Sequence, residues 1–177
     1  MPVRVRVSLR APFDGTESCP GSDRAFPEAL SSSSGTADAA ERVRAAYDTL
    51  LVSFGPQGWW PADDPWEIMA GAVLTQRTAW RNAELALERM RAARALDPAA
   101  VLALPRARLE ELVRPAGFYR AKASTLAALA TEAAAHGGPR GLTELPREEL
   151  GRALLAVRGI GRETADAISL YAARHPV

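Results

Sequence analysis

Two glycines around one apolar residue, Gly159-Ile160-Gly161, stand between two arginines, Arg158 and Arg162. Glycine lets the main chain turn tightly and approach a ligand closely. Ile160 is expected to plug the turn into the core, leaving the N–H groups at the start of the next helix to face outward. Those donors and the positive end of the helix dipole suit a phosphate oxygen, and the two arginines add charge. Taken alone, the same pattern also fits an ordinary glycine-capped connection between helices. Arg114, Arg120 and Lys122 fall within nine residues with no acid between them, a basic strip that reads either as a phosphate contact or as a solvated face. Lys122 is the sole lysine, so amine-based covalent chemistry has one candidate. Cys19 is the sole cysteine, which excludes an internal disulfide, a zinc knuckle and a four-cysteine iron–sulfur cluster within these residues. A reducing compartment, no metal and no cofactor are expected.

Helices must position these groups. Val43, Tyr47, Leu50, Leu51 and Phe54 share one face of an amphipathic helix that stops near Gly55-Pro56. Asp64 can cap a second helix with Pro65 at its first position, burying Ile68, Met69, Ala72 and Val73 and ending near Thr75. Ala83, Ala86, Leu87 and Met90 mark a third, and Asp97-Pro98, Leu104-Pro105 and Leu145-Pro146 each begin another. Leu150, Ala153, Leu154 and Val157 form a stripe on one side of the Gly159 turn, and Ala165, Ile168 and Ala172 on the other. An internal echo joins two regions: each starts Leu-Pro-Arg, at 104 and 145, and each reaches a glycine turn followed by arginine and a helix. The fold class is all-α, a helical bundle with a helix-hairpin-helix motif.

The chain has 177 residues, 47% of them apolar and 24% charged, enough for one or two compact domains. A net charge of +1 imposes no global field, so any basic surface is local. Apolar runs are far too short for a membrane span. Residues 1–36, rich in proline, glycine and serine, read as a disordered tail with no signal peptide, and 37–177 as the folded domain.

The run Leu154-Leu155-Ala156-Val157-Arg158-Gly159-Ile160-Gly161-Arg162-Glu163-Thr164-Ala165-Asp166 resembles the helix-hairpin-helix DNA glycosylases of the endonuclease III superfamily. Two further stretches match in order: Gly71-Ala72-Val73-Leu74-Thr75-Gln76, and Arg114-Pro115-Ala116-Gly117-Phe118-Tyr119-Arg120-Ala121-Lys122-Ala123. The latter, with Trp59-Trp60-Pro61, is most similar to the branch that removes alkylated purines such as 3-methyladenine. The resemblance implies double-stranded DNA as partner, a cytoplasmic, nucleoid-associated protein, and Arg158, Gly159, Ile160, Gly161, Arg162, Gln76 and Lys122 as DNA-binding residues. Gln76 matches the residue that probes the duplex where a base has left. Trp60, Pro61 and Trp80 match positions lining a pocket for a flipped base, where an indole face attracts a cationic alkylated purine more than a neutral one. Trp59 is a further aromatic candidate.

Glu163 occupies the position at which backbone-cutting relatives carry a lysine. A carboxylate forms no imine, so the resemblance implies a monofunctional glycosylase in which water is the nucleophile. The family's catalytic aspartate falls about four residues past Val177, and the C-terminal helices that pack on the first helix fall there too. The expectation is an incomplete two-domain glycosylase fold with no catalytic residue, an exposed first helix and no activity of its own. Asp166 reads as a surface residue. Two rival readings stay open: a non-catalytic helix-hairpin-helix DNA-binding module, which needs no tryptophan pocket, and a helical adaptor whose glycine turn is structural.

Overall fold

The computed structural model describes residues 36–56 and 59–176. The segment read as a tail lies outside them apart from Thr36. The chain divides into two compact units, residues 1–57 and 58–177. In the first, α1 runs Thr36–Phe54 and stops before Gly55, whose φ is +69°. Its apolar stripe is solvent-exposed, with Val43 at 71%, Tyr47 at 60% and Leu50 at 57%.

The second unit holds eight helices among the described residues: α2 (Pro65–Leu74), α3 (Trp80–Ala92), α4 (Pro98–Ala103), α5 (Arg106–Val113), α6 (Tyr119–Ala135), α7 (Pro139–Thr143), α8 (Arg147–Ala156) and α9 (Arg162–Tyr171). A single 3-10 turn, Arg114–Ala116, joins α5 towards α6. The regular structure is all-α, and no described helix is long and apolar enough to cross a membrane.

Local chemistry sets the helix ends. Asp64 caps α2 by accepting from Glu67 N at 3.1 Å, and Asp97 caps α4 by accepting from Ala100 N at 3.0 Å, each ahead of a proline whose missing N–H costs the first turn nothing. Pro105 and Pro146 differ: they stand one position earlier, as extended cap residues without a side-chain bond. α2 is buried all round except at its first turn, the pattern of a helix in the middle of a bundle. It touches α3, α6, α7 and α9, while α6 carries α4, α5, α7 and α8. Met69, Val73, Leu126, Leu129, Leu150, Leu154 and Ile168 lie in one continuous core with the alanines of α6 between them, small enough to let helices approach.

The two Leu-Pro-Arg regions each run helix, positive-φ glycine, helix. α5 leads to α6 through Gly117 at φ +67°, and α8 leads to α9 through Gly159 at φ +96°. The first connection differs by the inserted 3-10 turn. Capping predicts that Asp64→Ala lowers unfolding free energy by about 1 kcal/mol. In urea melts Asp63→Ala, whose exposed carboxylate makes no described bond, is the unchanged control.

Candidate nucleic-acid interface

The turn between α8 and α9 has the geometry of an anion cradle. Ile160 N donates to Val157 O at 3.0 Å, and the Ile160 side chain is 6% exposed in the core, so the turn is pinned from beneath. Gly159 is required twice over. Its φ is left-handed, and a Cβ there would lie 2.1 Å from Thr125 Oγ1 on α6. Gly161 is the extended cap residue of α9 and has no side chain to cap with. The first N–H groups of α9 are therefore open to an outside acceptor, with Arg158 and Arg162 exposed beside them.

Gln76 follows the end of α2 and is not a free helix-end side chain. It is half-buried, and its Nε2 donates to Gly159 O at 2.9 Å and to Thr164 Oγ1 at 3.0 Å. The residue expected to probe the duplex is thus parked on the hairpin. Between these elements opens a cavity of about 750 Å³, lined by Trp59, Trp60, Gln76, Phe118, Arg162 and Glu163, with Gly159, Gly161 and Lys122 at its wall. Its size suits one small aromatic ligand.

One wall is indole. The Trp60 ring packs against α2 at Gly71, where a Cβ would fall 2.9 Å from Trp60 Cζ2. Trp59, Trp80 and Tyr171 surround Trp60 with ring centroids 5.2, 5.3 and 5.4 Å away. Trp60 and Trp59 line the cavity. Trp80 and Pro61 do not: the Trp80 ring packs at 90° to Trp60 and 4.8 Å from Trp59, and Pro61 is exposed outside the lining.

Lys122 corrects the sequence reading. It is 3% exposed, and its ammonium donates to Leu74 O at 2.9 Å and Ala116 O at 2.6 Å. It is neither a phosphate contact nor a solvated charge, because the open carbonyls at two helix ends hold it inside. Burial lowers its pKa from 10.5 to about 8. The basic strip shrinks to Arg114 and Arg120, both exposed, whose guanidinium carbons lie 5.1 and 5.7 Å from the Tyr119 ring.

Two contributors escaped the sequence reading. Phe118 is 66% exposed at the cavity mouth in a left-handed conformation, φ +45°, directly after Gly117. Its signal was an aromatic directly after a glycine at a helix start. Gly71 was quoted only as part of a motif, although a glycine inside an apolar helix marks a close approach. Glu163 is an exposed carboxylate on the lining, and Asp166 is exposed and outside it. No three metal-ligating side chains converge among the described residues.

Gly71→Ala is expected to push Trp60 off α2, costing about 1–3 kcal/mol and shifting the tryptophan emission. For Lys122 the unfolded chain binds the proton more tightly than the folded one, so the wild type gains stability as pH rises from about 8 to 10.5. Lys122→Met removes that gain, about 3 kcal/mol in full, which paired melts at pH 7 and 10 measure.

Comparison with known proteins agrees with this geometry. Residues 70–169 match the family model of the HhH-GPD superfamily base excision DNA repair proteins. A Methanocaldococcus jannaschii protein named as a DNA repair glycosylase is 36% identical over 135 residues, 75% of this chain and 61% of that one. The crystal structure of H. pylori 3-methyladenine DNA glycosylase (MagIII), bound to 1,N6-ethenoadenine, aligns with a TM-score of 0.66 at 31% identity over 76% of this chain and 65% of that chain. An endonuclease III–DNA complex aligns with a TM-score of 0.61 at 23% identity over 75% and 59%, a likeness of fold. The chain thus spans somewhat under two thirds of the length of the relatives it matches. With the glycine hairpin, the motif order and the all-helical architecture in agreement, the chain belongs to the HhH-GPD superfamily of base excision DNA repair proteins.

Proposed function

We propose that this chain binds double-stranded DNA through the α8–α9 hairpin and captures a flipped, alkylated purine against Trp59 and Trp60, as part of a monofunctional DNA glycosylase. One observation carries the reading: the anion-binding turn and the indole wall border the same cavity. A phosphate held by the N–H groups of α9 and by Arg158 and Arg162 fixes the backbone, and the nucleoside attached to it can then swing into the cavity. A purine nucleoside alkylated at N3 or N7 is cationic, so the Trp60 face adds attraction that a neutral base lacks. The MagIII relative is bound to 1,N6-ethenoadenine, a modified purine without fixed charge.

Phe118 presents an apolar ring at the mouth, suited to wedge between base pairs as Gln76 leaves the hairpin for the vacated position. The chemistry itself is hydrolytic. The C1′–N bond breaks with its electron pair going to the base, which leaves neutral, and water adds to the sugar carbon and gives up a proton. Glu163 cannot form a Schiff base with the sugar, and the only other charged side chains on the described lining are Arg77, Arg162 and the committed Lys122. Protein acting on genomic DNA works at the nucleoid.

Binding to a short duplex carrying one alkylated purine tests this. Arg158→Ala and Arg162→Ala are each expected to reduce the slope of log affinity against log salt by about one. Trp60→Ala is expected to erase preference for the cationic base and leave the slope intact. With Glu163 as the one acid on the described cavity lining, these residues are expected to bind without releasing base. Release abolished by Glu163→Gln would instead assign the hydrolytic step to that carboxylate.

A further inference from the structure

We infer that Lys122 is a positioning residue, a buried ammonium clamp that sets the separation of the two cleft edges carrying Gln76 and Phe118. The inference rests on the DNA-binding reading and extends it to a residue whose ammonium is engaged by the protein's own carbonyls.

Its warrant is the place of the two acceptors. Leu74 is the last residue of α2, two positions before Gln76, and Ala116 is the last residue of the 3-10 turn, two before Phe118. Both carbonyls are at helix ends, where the partial charge is negative and intrahelical donors have run out. One ammonium bonds both, at 2.9 and 2.6 Å, so it holds the two chain segments at a single spacing. Lys122 N also donates to Phe118 O at 3.1 Å, which ties the same residue to the Phe118 turn by backbone. The edges it joins are unusual in backbone as well: Arg77, Gly117 and Phe118 all have positive φ, at 52°, 67° and 45°. A non-glycine residue such as Arg77 or Phe118 persists there only when surrounding contacts over-determine it. Gln76 and Phe118 both line the cavity, on opposite sides of the clamp in the bonding scheme. A neutral side chain of the same length would leave two carbonyls without donors and free the edges to drift.

Duplex binding by the full chain, using a short duplex with one abasic-site analogue and the same strand without its complement, tests the clamp. Lys122→Met is expected to weaken duplex binding about tenfold, from lost charge-assisted hydrogen bonds, with single-strand binding changed less than about twofold. Lys122→Arg, which keeps charge and donors, is expected to recover most of the loss. In the Lys122→Met background, Gln76→Ala should cost less than it does in the wild type, the coupling of residues that act as a unit. Equal weakening on both strands, or full additivity with Gln76→Ala, overturns the inference.

If Lys122→Met fails to fold, the wild type still decides. Labelling lysine with nitrogen-15 gives one side-chain resonance, because the chain has one lysine. A slowly exchanging ammonium signal that persists at its free-protein position in the duplex complex is expected. A signal that moves to fast exchange on binding overturns the clamp. A wild-type chain that shows the slow signal and binds no duplex leaves the ammonium tie in place and removes the DNA reading instead.

Discussion

The cleft depends on how closely the backbone at Gly159 approaches its neighbours. Thr125 of α6 lies where a Cβ would be, and Gln76 from the end of α2 bonds the Gly159 carbonyl. That approach joins three elements distant in sequence, and it leaves the opposite side of the turn, with its N–H groups, turned outward. A side chain at 159 would push the hairpin from α6 and open the contact to Gln76. The anion cradle and the cavity therefore come from one packing constraint.

Around that constraint the polar groups divide into those that hold and those that are offered. Lys122, Gln76 and Thr164 hold: Lys122 donates to two carbonyls, and Gln76 Nε2 donates to Gly159 O and Thr164 Oγ1, partners inside the protein as half-buried and buried polar groups require. Arg158, Arg162, Phe118 and Glu163 are offered to solvent on one lining or beside it. The tryptophans combine both roles. Trp80 backs Trp60, Gly71 lets Trp60 lie against α2, and Trp60 with Trp59 forms the wall. Replacing an inner member moves an outer one without touching a ligand.

The stability cost of this arrangement sits at Lys122. An ammonium taken from water loses solvation, which is why its pKa falls, and two carbonyls restore only part of it. A methionine would escape that cost but leave the Leu74 and Ala116 carbonyls without this donor. Retaining a cation there is understandable if its value lies in holding two strained turns at the cleft rather than in fold stability.

Much of the architecture was legible in the residues. Asp64-Pro65 and Asp97-Pro98 begin helices because side-chain caps and a proline lacking an N–H act within four residues, and apolar periodicity located α1, α3, α8 and α9. The hairpin was legible for the same reason, since glycines constrain only their own neighbourhood. Tertiary structure alone decided what each long side chain meets. Lys122 shares a stretch with two surface arginines and differs from them only because Leu74, 48 positions away, brings a carbonyl beside it. Gln76 finds its partners 83 and 88 positions on, and Trp59 rather than Trp80 lines the cavity because Trp80 packs edge-to-face against Trp59 and Trp60. Helix ends and turns follow from forces that act over one turn of chain, whereas burial and partnership follow from which distant segments meet.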